Sequence, residues 1–220
     1  MPLLTVANLE KAYRSPEGTQ TRVVDVPHFE LEAGWQMALK GSSGTGKTTF
    51  LNLIAGILHA DSGQIVIDGE EMTGLSESGR DSLRASHIGY IFQTFNLLHG
   101  YTALENVVLG MMFGKGVDVE FAQHLLDRVG LGDRMGYPPS QLSVGQQQRV
   151  AVARAIANRP RLVLADEPTG NLDYHHANEA IALIREICHE NNAALLTVSH
   201  DVGILEQFEE TADFAQVNRA

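Results

Sequence analysis

The segment Gly41-Ser42-Ser43-Gly44-Thr45-Gly46-Lys47-Thr48 fits the pattern G-x-x-x-x-G-K-(S/T). It follows an apolar stretch, Trp35 to Leu39, that reads as a strand, and it opens a run from Thr48 to Ile57 with helical spacing of apolar residues. A strand that empties through a glycine loop into a helix belongs to an α/β core with a mostly parallel sheet. The glycines let the backbone curl until its N–H groups face phosphate oxygens, and the helix adds its positive N-terminal end. In that arrangement Lys47 is expected to contact the β- and γ-phosphates of a nucleotide, and Thr48 to offer its hydroxyl to Mg²⁺. An accidental Lys-Thr after a glycine-rich turn is the alternative, and the placement between strand and helix speaks against it.

A second apolar stretch, Leu162 to Ala165, ends in Asp166-Glu167. An acid at the C-terminal end of a parallel strand points into the ligand crevice of such a sheet. Asp166 suits the Mg²⁺ shell and Glu167 can polarise an attacking water. Asp-Glu after a strand is by itself commonly a solvated strand end; the phosphate loop is what makes the pair functional. Leu142-Ser143-Val144-Gly145-Gln146 precedes a helical run, Val150 to Ile156. Ser143 with Gln146 three residues on is a capping box, and the local signal serves equally for a well-capped helix and for a second anion site.

The remaining chain reads as β at its start (Leu3 to Lys11, Arg22 to Leu31, with a polar loop Arg14-Ser15-Pro16-Glu17-Gly18 between). Ile65 to Ile67 forms a strand closed by Asp68-Gly69. Ile88, Tyr90 and Phe92 alternate as on a half-buried strand stopping at Gln93. From about 94 to 157 the pattern turns helical, with Phe121, Leu125 and Val129 four apart. Leu162 to Ala165, a helix Tyr174 to Glu190 and a strand Ala194 to Val198 then make a βαβ unit. The domain expectation is one unit over residues 1–220, its core formed by 1–93 and 158–220 and a helical subdomain inserted at about 94–157. Cys188, the single cysteine, falls on the apolar stripe Ala177, Ala180, Ile181, Ile184, Ile187 and is expected to be a buried structural thiol. His175-His176 lacks Cys or acidic company and reads as a solvated helix start, and Asp201 as a helix cap.

With these motifs in this order the chain resembles the ABC (ATP-binding cassette) ATPase family over nearly its whole length. The resemblance implies a head-to-tail dimer in which ATP is held between the phosphate loop of one copy and the Ser143 segment of the other. It assigns Tyr13 to stacking on adenine and Gly41, Ser42, Ser43, Gly44, Thr45, Gly46, Lys47, Thr48 and Thr49 to the phosphates. Gln93 is implied as the glutamine that senses Mg²⁺ and the membrane partner, with Thr48 and Asp166 beside it as metal ligands. Glu167 is implied as the base and His200 as the switch histidine; Ser143, Gly145, Gln146 and Asp173 face the second copy's ATP. The signature departs from Leu-Ser-Gly-Gly-Gln in having Val144 at its first glycine, with Ser143 and Gly145 retained. Pro168 to Asp173, Phe95-Asn96-Leu97-Leu98 and Thr102 to Val107 resemble the lipoprotein-releasing and macrolide-export branch. After Asp213 the chain departs from that branch, whose short strand pair and C-terminal extension are absent or cut short.

The resemblance implies two cofactors, ATP and Mg²⁺, and two partners, a second copy and an integral membrane permease. A net charge of -11 disfavours a general nucleic-acid binder, which needs a basic face for the phosphate backbone. The N-terminus lacks the basic start and apolar run of a signal peptide, and no segment approaches the roughly 20 apolar residues of a membrane span. The expected place is therefore cytoplasmic, on the inner face of the membrane through the permease. Two rivals stay open: the ATPase of a regulatory, cell-division-type membrane complex, and a soluble ATPase of iron–sulfur assembly. Repair and translation types need coiled coils, zinc inserts or two cassettes in one chain, and those are missing.

Overall fold

The computed structural model describes residues 2–14 and 18–220; Ser15, Pro16 and Glu17 of the expected polar loop, and Met1, lie outside them. In chain order the elements are β1 (Leu4–Arg14), β2 (Gln20–Leu31), β3 (Gln36–Lys40), α1 (Lys47–Ile54), β4 (Ser62–Ile67), β5 (Glu70–Glu71), α2 (Glu77–His87) and β6 (Ile88–Ile91). There follow α3 (Ala103–Met111), α4 (Val119–Arg128), α5 (Val144–Ile156), β7 (Leu162–Asp166), α6 (Tyr174–Glu190), β8 (Ala194–Ser199), α7 (Val202–Leu205), β9 (Glu210–Asp213) and α8 (Phe214–Val217). Two sheets result. One is antiparallel in the order β2-β1-β4-β5; the other has the order β6-β7-β8-β3-β9, and its pairings are parallel.

The two periods seen in the sequence explain this division. Every residue of β7 and β8 is buried, as continuous apolar runs demand when helices cover both sheet faces. On one face α1 and the antiparallel sheet close a core around Phe50, whose ring meets Phe29 edge-on at 5.6 Å and Phe214 at 5.4 Å. On the other face α3, α4, α5 and α6 bury Val107, Leu125, Val150 and Ile184. The helix α6 spans the residues its periodicity predicts and buries Ala177, Ile181, Ile184, Ile187 and Cys188. The Cys188 thiol is pushed up to about 12 by burial.

Two expectations need correction, and one helix was not foreseen. The strand read as half-buried through Phe92 ends at Ile91, and it buries Gly89 and Ile91 as well as Ile88, with Tyr90 partly buried, although it edges the sheet. Its apparent alternation comes from Gly89, where helix α5 approaches so closely that a Cβ would stand 2.2 Å from the Ala155 carbonyl oxygen. Helix α2 has no counterpart in the sequence reading because it buries only Arg80 and Leu83, too few for a periodic stripe. The helical stretch begins only at Ala103, behind a capping box of Thr102 and Glu105. Before it, Phe95 and Asn96 take left-handed backbone angles that no helix permits.

Candidate nucleotide-binding site

Four strands of the parallel sheet end on the same side, and the residues that follow each of them converge. From β3 comes the loop Gly41 to Gly46, folded on itself by the Thr45 hydroxyl, which donates to the Ser42 carbonyl at 3.0 Å. Gly46 sits at the N-cap of α1 with φ 93, and no side chain caps that helix. The first N–H groups of α1 are thereby left to face an anion. The Lys47 ammonium is buried and donates to the carbonyls of Gly41 and Ser42 at 2.6 and 2.8 Å, with the Glu167 carboxylate 3.8 Å away.

At the end of β7, Asp166 accepts the Thr48 hydroxyl at 3.1 Å. Burial raises its pKa, the neighbouring Glu167 charge adds to the rise, and the Thr48 bond and Lys47 oppose it. Glu167 has left the strand conformation, with φ 43, while its N–H still donates to the Val198 carbonyl at 3.0 Å. That bend brings its Oε1 to 2.9 Å from Nδ1 of His200, which follows β8. Left-handed backbone at a non-glycine residue is costly, about 1–3 kcal/mol, and is held here by the bond to β8 and by the turn in which the Gly170 N–H donates to the Glu167 carbonyl. From β6 comes Gln93, whose carbonyl accepts the Asn171 amide at 2.6 Å. Ser43, Gly44, Gly46, Lys47, Thr48, Thr49, Gln93, Glu167 and His200, with Val23 from the other sheet, line a cleft of about 270 Å³.

The donors here suit Mg²⁺. Thr48 and Asp166 present oxygen, the ligand type of this hard cation, and the described residues hold no cluster of three or more His, Cys, Asp or Glu that would cage a metal alone. A cation that keeps its waters and leans on one or two protein oxygens plus phosphate fits such a site. His175 and His176 are exposed; His176 Nδ1 lies 2.6 Å from Asp173, and neither joins a metal cluster.

Other residues singled out in the sequence do not line this cleft. Tyr13 lies on β1 opposite Thr21, half exposed, with the Lys11 ammonium 5.9 Å from its ring centre. Ser143 caps α5: its hydroxyl accepts the Gln146 N–H, and the Gln146 side chain accepts the Ser143 N–H at 2.9 Å, an arrangement worth about 1 kcal/mol. Val144 is 47% exposed, and a Cβ on Gly145 would meet nothing within 4 Å, so this helix start faces solvent. Asp173 caps α6 by accepting the His176 N–H, and the two His176 bonds lower its pKa. Asp201 caps α7 by accepting the Gly203 N–H at 2.8 Å.

Several neighbours of the site left no trace in the sequence pattern. Gln148 on α5 is buried and donates to the Pro168 carbonyl at 2.7 Å, just past Glu167. Arg154, at the other end of that helix, donates to the carbonyls of Asn96 and Phe95 at 2.7 and 2.6 Å, just past Gln93. The helix that begins at Ser143 is thus tied to the segments that carry Glu167 and Gln93. Asn218, near the last residue, reaches both β2 and the phosphate loop. An isolated Asn in a polar tail carries no signal by which to find it.

The model of one family, described as ABC transporter, matches residues 24–170. The lipoprotein-releasing system ATP-binding protein LolD of Pseudomonas syringae pv. tomato is 42% identical over 211 residues, covering 94% of this chain and 92% of that protein. Among solved structures, the chain resembles the dimeric, post-hydrolysis state of the ATP-binding cassette MJ0796 bound to ADP and Pi. The TM-score is 0.86 and the identity 32%, over 94% of this chain and 92% of that one. It also resembles cbiO1 from Clostridium perfringens, part of the ABC transporter complex cbiONQ, with a TM-score of 0.79 and 27% identity over 94% of this chain and 81% of that one.

Proposed function

The chain belongs to the ABC transporter family as an ATP-hydrolysing subunit, and from that premise we propose that it is of the lipoprotein-releasing and macrolide-export branch and that two copies, head to tail, drive a separate membrane permease. One observation carries the dimer. Lys47, Thr48, Asp166, Glu167, Gln93 and His200 come together in a single chain, while the signature Ser143-Val144-Gly145-Gln146 faces solvent away from them. A second copy supplies what each site lacks: its Ser143, Gly145, Gln146 and Asp173 close over the ATP that Tyr13 and Gly41 to Thr49 hold.

The geometry of the cleft supports the following roles. The loop N–H groups and Lys47 hold the β- and γ-phosphates, and the lysine exchanges its two loop carbonyls for phosphate oxygens. Thr48, Asp166 and Gln93 would hold Mg²⁺, which when bound would neutralise charge on the phosphates. Glu167 Oε accepts a proton from the attacking water as its oxygen bonds to the γ-phosphorus and the bond to the bridging oxygen breaks. His200, already 2.9 Å from Glu167, keeps that carboxylate aimed and steadies the γ-phosphate.

Residues 94–157 act as the helical subdomain set between 1–93 and 158–220. A groove of about 650 Å³ between α2, β6, α3 and α5, lined by Tyr90, Phe92, Leu109 and Phe113, opens beside the Gln93 segment. Phe113 is 82% and Met112 57% exposed, an apolar rim that favours a membrane subunit over a soluble assembly role. No described helix is long and apolar enough to cross a membrane, so the permease is what would hold the chain at the inner face. The test is Glu167→Gln with ATP and Mg²⁺. Turnover should fall about 10²-fold or more, and an ATP-dependent dimer should appear on size-exclusion chromatography. Near-normal turnover would remove Glu167 from the mechanism, and a monomer at saturating ATP would remove the dimer.

A further inference from the structure

Strand β2 contains one more residue than β1 can oppose. Lys11 pairs with Val24 and Ala12 with Arg22, so Val23 is left over as a bulge two residues before the register reaches Tyr13 and Thr21. The bulge turns Val23 toward the phosphate loop, where its carbonyl oxygen would stand 2.4 Å from a Cβ at Gly46. Val23 and Thr45 therefore present two carbonyl oxygens to one small region, and two acceptors need a donor between them. Asn218 is that donor. Its Nδ2 gives one hydrogen to Val23 O at 3.0 Å and one to Thr45 O at 3.2 Å, while its Oδ1 accepts the Asp25 N–H at 2.7 Å. The residue is 7% exposed, and α8 holds it in place through the fully buried Phe214 and through a bond from the Asn218 N–H to the Phe214 carbonyl.

We propose that Asn218 is a positioning residue which fixes the spacing between the Tyr13 strand pair and the phosphate loop, and so sets how well ATP is gripped at its base and its phosphates together. This rests on the reading of Tyr13 as the adenine platform. Only a ligand long enough to touch both ends feels the spacing. Inorganic tripolyphosphate reaches the loop alone.

The experiment measures Mg²⁺-supported affinity of the full chain for ATP and for tripolyphosphate by calorimetry, in wild type, Asn218→Ala, Asn218→Asp, Tyr13→Ala and the Tyr13→Ala/Asn218→Ala double variant. Asn218→Asp keeps the bond to Asp25 but puts an oxygen against the two carbonyls, and serves if the alanine variant does not fold. Asn218→Ala should weaken ATP about tenfold, the worth of two donated bonds, and leave tripolyphosphate within about twofold. In Asn218→Asp the added charge weakens binding of both anions, and ATP should fall about tenfold further than tripolyphosphate. In the Tyr13→Ala background, the added Asn218 change should cost ATP less than about twofold. Equal weakening of both ligands would mean that Asn218 only shapes the loop, and unchanged ATP affinity would mean that it positions nothing; either overturns the proposal. If Tyr13→Ala alone leaves the preference for ATP over tripolyphosphate intact, the Tyr13 platform falls. Asn218 is then still decided by its own pair of affinities.

Discussion

Gly46 is where the phosphate loop meets strand β2, and its replacement by alanine can be worked out from the geometry. The backbone there has φ 93, a left-handed value, and the new Cβ would meet the Val23 carbonyl oxygen at 2.4 Å and Val23 Cγ1 at 3.1 Å. The first term is backbone strain, about 1–3 kcal/mol for a non-glycine residue in that region. The second is overpacking, again about 1–3 kcal/mol, because the obstructing atom belongs to a strand backbone rather than to a pliable side-chain end. Gly44 separates the two terms. It has φ 83 in the same loop, and a Cβ there meets nothing within 4 Å, so Gly44→Ala carries strain alone. Thermal melts of the two variants should therefore differ by the overpacking term. At roughly 2–4 °C per kcal/mol for a chain of this size, Gly46→Ala should melt several degrees below Gly44→Ala. The clash can also be relieved by moving the loop, in which case ATP affinity, read by calorimetry, should drop by a further factor of about ten for Gly46→Ala. Equal melting and equal ATP affinity in the two variants would refute the contact between the bulge and the loop as a constraint on either fold or site.

Other consequences follow from the same structure. Lys47→Ala and Ser143→Arg subunits should each be inactive, yet mixing them should recover part of the ATPase activity or nucleotide occlusion, because one site of the mixed dimer collects both defects. Mixed dimers that recover neither would mean that Lys47 and Ser143 do not meet across an interface. Gln93→Ala should lower stimulation by the permease more than ATP binding by the isolated chain, and an equal loss of both would argue against coupling through Gln93. The buried Cys188 thiol has its pKa raised to about 12 in the folded chain, so its contribution is fully present below the ordinary thiol value and is lost as pH climbs toward 12. Between pH 8 and 10 the wild type should lose about 1 kcal/mol more stability than Cys188→Ala, measured by denaturant titration. The native thiol should also resist alkylation at pH 8, and rapid labelling would show that the α6 stripe opens.

Helix α6, with its period of apolar residues, and the buried runs of β7 and β8 were legible in the sequence because each rests on residues within a few positions of one another. The capping box at Ser143 and the phosphate loop between β3 and α1 belong to the same class: local hydrogen-bonding chemistry written in adjacent letters. Helix α2 escaped because it is nearly all surface, and the end of β6 because a glycine stood where a helix came close. The meeting of Lys47, Glu167 and His200 depends on strand order, which pairing across the sheet decides and spacing along the chain does not. The bulge at Val23, the Gln148 bond to Pro168 and the reach of Asn218 to two carbonyls depend on something finer still. They join backbone groups that every residue possesses, so no side-chain pattern marks them. Only the tertiary packing, which sets α5 beside the loop after β7 and the C-terminal Asn218 between β2 and the phosphate loop, brings them into existence.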